Sequence, residues 1–322
     1  MITFNNMKNR ILITLFFGLS FNGISIAQQD AQYTQYMYNT ISFNPAYTGT
    51  RESLSGLFLY RNQWWGLDGA PDTFTLSVHS PVDFRKKIGL GLSVVRDEIG
   101  PTAETYIDAT FSYNINTSDL SKLAFGLKVG GHILDVNFNE LNTFDPIAED
   151  LSGAIDNKFS PNFGVGLFHY SDRHYVGFSV PNILETEHFD ESLSIDNQDQ
   201  NFIAKERMTY YLTGGYVFDV GAYTKFKPAL LLKGIDGAPL QADVSANFLF
   251  NDRLTLGAAY RWSAAVSALV GFQFNEQWMI GFAYDRETTE LGQTQFNDGS
   301  MEVFLRFDLF KAYDRIISPR FF

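Results

Sequence analysis

Leu254-Thr255-Leu256-Gly257-Ala258-Ala259-Tyr260-Arg261-Trp262 is the stretch that decides the fold. Leu254, Leu256, Ala258, Tyr260 and Trp262 occupy every second position, against Thr255, Gly257, Ala259 and Arg261. A period of two is the mark of a strand with one apolar face. Val266, Ala268, Val270, Phe272 and Phe274 then alternate with Ser267, Leu269, Gly271, Gln273 and Asn275, and Trp278, Ile280, Phe282 and Tyr284 oppose Met279, Gly281, Ala283 and Asp285. Followed in both directions, the same beat predicts fourteen strands, at 54–64, 72–82, 86–97, 103–115, 121–134, 160–171, 173–180, 208–219, 224–234, 238–250, 253–262, 264–274, 277–286 and 301–310.

Two architectures use such strands. A soluble sandwich buries the apolar face against a second sheet; a membrane barrel turns it to lipid and keeps small and polar residues in the lumen. The strand lengths, and aromatic residues near strand ends (Phe250, Trp262, Trp278, Tyr284), favour an all-β, transmembrane antiparallel barrel. Lys128, Asp243, Asp285, Glu302, Arg306 and Asp308 fall on the lumen side, where charges are tolerated if wet or paired. Loop parity agrees. The longest connections, 135–160, 181–207 and 287–299, all follow odd-numbered strands, whereas those after even-numbered strands are short. Long outer loops and short periplasmic turns are how such barrels are built.

Composition narrows the remaining classes. The chain has 322 residues, of which 31 are Phe, 16 Tyr and 4 Trp, too much apolar surface for a disordered chain. Cysteine is absent, which excludes disulfides and thiol chemistry, and the net charge of −12 argues against a nucleic-acid partner. The three long connections carry net charges of −5, −5 and −3, so the acidity is concentrated in loops. Asp196-Asn197-Gln198-Asp199 lacks the Gly and distal Glu of a calcium loop, and no metal or cofactor is expected. Ser77 and His79 share a strand face, but no nucleophile elbow, zinc motif or phosphate loop accompanies them, so an enzyme is not expected.

The amino terminus reads as a targeting segment. Lys8 and Arg10 precede apolar Ile11–Leu19, and Ser25-Ile26-Ala27 offers small residues for cleavage after Ala27. Loss of Lys8 and Arg10, with no acidic residue, would take the charge from −12 to −14. The domain reading is therefore a signal peptide at 1–27, a periplasmic or plug segment at 28–53, a barrel at 54–310 and a periplasmic tail at 311–322.

Segment 28–53 lacks alternation and is rich in Gln, Tyr and Asn. Tyr33, Tyr36, Met37 and Phe43 are too apolar for a free tail, so they should pack, either as a plug under the lumen or against a periplasmic partner. At the end of the first strand, Arg61, Gln63 and Trp64 read as lumen or cap residues, with Trp64-Trp65 in an interfacial girdle and Arg61 turned to an acidic neighbour.

These residues also carry a resemblance. Gln35-Tyr36-Met37-Tyr38-Asn39 and Asn44-Pro45-Ala46-Tyr47-Thr48-Gly49 resemble the PorP/SprF family of Bacteroidetes outer-membrane proteins. Arg61-Asn62-Gln63-Trp64, Gly69-Ala70-Pro71, Gly89-Leu90-Gly91, Asp97, Gly100, Pro161-Asn162, Gly164, Gly166, Gly177, Ser179 and Pro181-Asn182 extend it along the chain, while Thr40 stands where the pattern has Pro. The resemblance implies a non-enzymatic barrel of the type IX secretion system, in outer-membrane lipid, serving export or surface attachment of a secreted cargo such as a gliding adhesin. It implies periplasmic ring proteins as partners; the segment's own residues Tyr33, Gln35, Tyr36, Met37, Tyr38, Asn39, Phe43, Asn44, Pro45 and Tyr47 are read as the partner or plug contacts. The competing expectation is a passive or gated porin, because the residues alone leave the lumen open or filled.

Overall fold

The computed structural model describes residues 31–137, 154–185, 207–289, 292 and 297–309. The targeting segment, the middle of each acidic connection and the tail at 311–322 lie outside the described residues. The strands are β1 (Leu54–Asn62), β2 (Asp72–Pro81), β3 (Ile88–Ile99), β4 (Thr102–Ser118), β5 (Ser121–Asn137), β6 (Ala154–Ser171), β7 (His174–Val180) and β8 (Thr209–Tyr216). They continue as β9 (Phe218–Gly221), β10 (Thr224–Ile235), β11 (Gln241–Phe250), β12 (Leu254–Arg261), β13 (Ala265–Gln273), β14 (Trp278–Glu287) and β15 (Ser300–Leu309). β8 and β9 both pair with β10 and are two halves of one stave, parted at Val217. Fifteen segments thus make fourteen staves, each antiparallel to its neighbours.

The cylinder closes where β15 pairs with β1, from Leu54↔Leu309 to Asn62↔Met301. Closure leaves no long open edge in hydrocarbon, where each unpaired backbone group costs several kcal/mol. The faces are inverted relative to a soluble protein. On β2, Thr73, Thr75, Ser77 and His79 are buried while Phe74, Leu76 and Val78 point outward. Leu76 is 59% exposed, and Leu92 on β3 58%, so no second layer covers the apolar side. That excludes the sandwich.

The connection expected at 135–160 is shorter than the alternation suggested, because β5 runs to Asn137 and β6 starts at Ala154. A register shift at Leu134/Val136 and the positive φ of Asn157 (51°) interrupt the period of two there, which conceals the strands from pattern reading. β7 stops early at Val180, and the chain from Pro181 lies along β6 in its stead. Ile183 N–H donates to Phe163 O (2.8 Å), and Asn162 Oδ1 accepts from Phe163, Ile183 and Leu184 N–H. Pro161 stands on the same edge and has no N–H to leave unpaired, a usual way to blunt a sheet edge.

Candidate functional site

Fourteen staves enclose more space than wall side chains alone fill; barrels of eight are filled by them and those of sixteen or more leave a channel. Here residues 31–53 occupy the interior. Gln32 Nε2 donates to Gln241 Oε1 (3.2 Å) at the long-loop end, and Arg51 meets Asp308 at the short-turn end, just before β1 begins. Between them the chain makes two short 3-10 turns, Thr40–Ser42 and Pro45–Tyr47, the second capped by Asn44 Oδ1 accepting from Ala46 N–H (3.0 Å).

The aromatic residues of the segment form the molecule's apolar core. Tyr33, Tyr36, Met37, Tyr38 and Phe43 pack against Leu57, Leu59, Tyr211, Leu231, Met279 and Phe304 of the wall. Ile41, Ala46 and Tyr47 join Ala124, Phe168, Tyr170, Tyr175 and Leu249 in a second cluster nearer the short turns. Tyr47 meets Phe168 edge-on with ring centroids 5.5 Å apart, and Phe43 lies 5.3 Å from Tyr211.

Polar groups fasten the segment at both ends. Arg61 donates through Nη2 to Asp285 Oδ2 (2.7 Å) and through Nη1 to Glu302 Oε2 (3.2 Å) and Thr34 Oγ1 (2.8 Å). The Glu302 carboxylate also accepts the backbone N–H groups of Thr34 and Gln35, each at 2.8 Å, and Thr34 Oγ1 donates to Asp285 Oδ2 (2.5 Å). A carboxylate that takes two main-chain N–H groups reads the segment's backbone rather than its side chains. At the other end Arg51 makes a two-pronged contact with Asp308, through Nε and Nη2 at 2.9 Å each, while Arg306 Nε stands 3.1 Å from the same carboxylate. Beside that pair, Gly49 N–H donates to His79 Nδ1 (3.0 Å) and Ser112 Oγ to Thr48 O (2.5 Å). His79 is thus engaged by the segment.

The wall is hollowed where the segment passes. A Cβ on Gly126 would strike the backbone of Pro45 and Ala46, and one on Gly166 the Asn44 side chain. Both are glycine because residues 44–46 of the segment approach closely, the role expected of a strand glycine that faces a neighbour.

All ten residues expected as partner or plug contacts, Tyr33, Gln35, Tyr36, Met37, Tyr38, Asn39, Phe43, Asn44, Pro45 and Tyr47, are buried within the cylinder. A periplasmic surface built from them does not exist in this structure, because the barrel wall covers them. Arg61 is 1% exposed and belongs to the inner fastening. Gln63 and Trp64 lie apart from it at the rim, where Gln63 N–H donates to Pro71 O (2.9 Å), Trp64 N–H to Ser300 Oγ (3.1 Å) and its indole to Glu287. Thr34 and the hollowing glycines were not singled out as site residues. Asp285 and Glu302 were legible as lumen charges, though not as partners of Arg61. Among the described residues no group of three His, Asp or Glu side chains is placed to hold a metal.

A closed antiparallel cylinder, apolar outside and packed inside with its own leading segment, defines a membrane β-barrel of the outer-membrane kind. Its sequence matches the family profile described as type IX secretion system membrane protein PorP/SprF over residues 25–307. The chain belongs to that family. Comparison with curated proteins gives no match. Among solved structures, a Rhodopseudomonas blastica porin shares 11% identity at a TM-score of 0.32, the alignment covering 80% of this chain and 99% of that one. The KdgM porin shares 10% identity at a TM-score of 0.35 with the same coverage of each chain (80% and 99%). Likenesses of that size carry no functional argument.

Proposed function

We propose that this protein is a non-enzymatic outer-membrane component of type IX secretion that supports export or surface attachment of secreted proteins, gliding adhesins among them, through contacts with periplasmic ring proteins and cargo. The observation that carries the reading is a lumen filled and fastened by residues 31–53 in a chain of this family. A barrel without an open bore works through its surfaces. The acidic outer loops supply the cargo-facing surface in this reading. On the short-turn side the most exposed apolar side chains among the described residues are Phe84, Leu120 and Tyr223, at 104%, 79% and 76% exposure, and these take the ring contacts in this reading.

Pull-down of the native protein in detergent, with mass spectrometry of what comes with it, tests the proposal. Ring proteins and a large secreted protein are expected, and Phe84→Asp with Leu120→Asp should lose the ring proteins while the barrel stays heat-modifiable on gels. Recovery of neither partner class would sink the reading. The competing porin reading requires steady conductance from the intact protein in planar bilayers, and the filled lumen leads us to expect silence.

A further inference from the structure

The lipid-facing side of the short-turn rim is not uniformly apolar. His169 on β6 and His174 on β7 are the outward-facing histidines among the described residues; buried, inward Phe168 and Tyr170 flank the first, and buried Tyr175 follows the second. Their imidazoles stack with centroids 5.3 Å apart, and His174 stacks in turn on Tyr216 (6.3 Å), which meets Phe218 (4.5 Å). The run of rings continues along the rim through Phe226 to Phe248. Such a belt marks the level at which hydrocarbon gives way to headgroups. At one end of it, rings that carry N–H groups replace hydrocarbon rings. Hydroxyls surround that end. Thr117 Oγ1 stands 3.4 Å from His169 Nε2 and 2.8 Å from Ser121 Oγ, which lies 2.7 Å from Ser118 Oγ. Ser171 Oγ accepts the N–H groups of Arg173 and His174 (3.1 Å each), so its own proton goes to His174 Nδ1 (2.8 Å). That fixes His174 as the tautomer with its proton on Nε2, a donor that the turn does not use.

We propose that this end of the belt binds the headgroup of a periplasmic-leaflet phospholipid that carries a primary ammonium, as phosphatidylethanolamine does. The inference is independent of the secretion reading. A surface on the outside of a membrane barrel meets acyl chains and headgroups, so position sets the class of occupant. The phosphate accepts from the imidazole N–H groups and a hydroxyl, and hydrogen bonds to an ionised acceptor are the strong ones. The neighbouring charges decide which headgroup. Asp119, Asp172 and Asp219 stand on the adjoining turns and β9, against Arg173, whose Nη2 pairs with Asp219 at 2.9 Å, while Lys122 is turned inward to Glu52. A headgroup of net negative charge is repelled by that set. An ammonium beside the phosphate is attracted by it.

The test uses the full-length protein in a polyoxyethylene detergent, stripped of co-purified lipid. Phosphatidylethanolamine, phosphatidylglycerol or phosphatidylcholine of equal chain length is added, and adducts are followed by native mass spectrometry. A saturable phosphatidylethanolamine adduct is expected in preference to either of the others. His169→Phe with His174→Phe keeps the rings but removes their nitrogens, and should weaken that adduct about tenfold, the loss of one hydrogen bond to a charged group. Tyr60→Phe at the opposite rim should bind as the parent does, and heat-modifiability on gels shows that each variant is folded. Equal adducts from all the lipids, displacement of the lipid by inorganic phosphate, or an undiminished adduct in the double variant overturns the proposal.

Discussion

Arg61 sets the terms at the residue scale, because its guanidinium faces Asp285 and Glu302 with all three side chains at most 2% exposed. Burial of charges costs several kcal/mol per ion, offset here by short contacts and by the N–H groups that Glu302 takes from Thr34 and Gln35. Arg61→Met strands two carboxylates and should destabilise the barrel by about 3–5 kcal/mol, the usual effect of removing one partner of a buried pair. Urea unfolding in micelles, followed by tryptophan fluorescence, measures it. Adding Asp285→Asn and Glu302→Gln to Arg61→Met should recover much of the loss, because no charge is then left without a counter-charge. Alternation along β1 was enough to turn Arg61 inward. Its partners were hidden, because Glu302 lies 241 positions away and meets Arg61 only when the last strand closes on the first.

At the scale of elements, the segment 31–53 was legible as something that must pack, since Tyr33, Tyr36, Met37 and Phe43 had no strand period to place them. Its resting place was not legible, because the complementary surface is spread over strands from β1 to β15 and no local pattern records it. Gly126 and Gly166 are part of that surface. In sequence Gly126 is one small residue of an alternating strand and Gly166 one element of the family resemblance, with nothing to pair either with the segment. Gly126→Val should push Pro45 and Ala46 off the wall, leaving a folded barrel whose residues 31–53 are cut by added protease far faster than in the parent; equal cleavage rates would show that the hollow at Gly126 does not matter. Removal of 32–48 should convert a silent protein into one that conducts in planar bilayers while keeping its heat-modifiability. If the truncated barrel stays silent, something other than the segment closes the bore.

For the whole molecule, the outward face is the feature that period two read well. Each of the fourteen expected strands overlaps a stave, because lipid imposes one rule along every strand. Reading faltered where that rule was interrupted, at the bulged ends of β5 and β6 and at Val217, positions where backbone geometry departs from plain alternation. The rule also yields a prediction. Leu76, outward and 59% exposed, should cost about 2–4 kcal/mol as Leu76→Arg if it lies near the bilayer midplane. Reversible folding into phospholipid vesicles checks it, with an outer-rim change such as Trp262→Arg expected to cost under about 1 kcal/mol.

The fastening of residues 31–53 at both ends has a consequence for how the molecule comes into being. A strip that meets strands all around the cylinder, and runs straight into β1, cannot be slid into a finished shell past its own aromatic knobs. The staves must curl about it while the junction of β1 with β15 is still apart. That junction joins the two ends of the strand order, the slowest kind of contact to find. The strip therefore acts as an internal mandrel, and zipping of the final seam locks it in place.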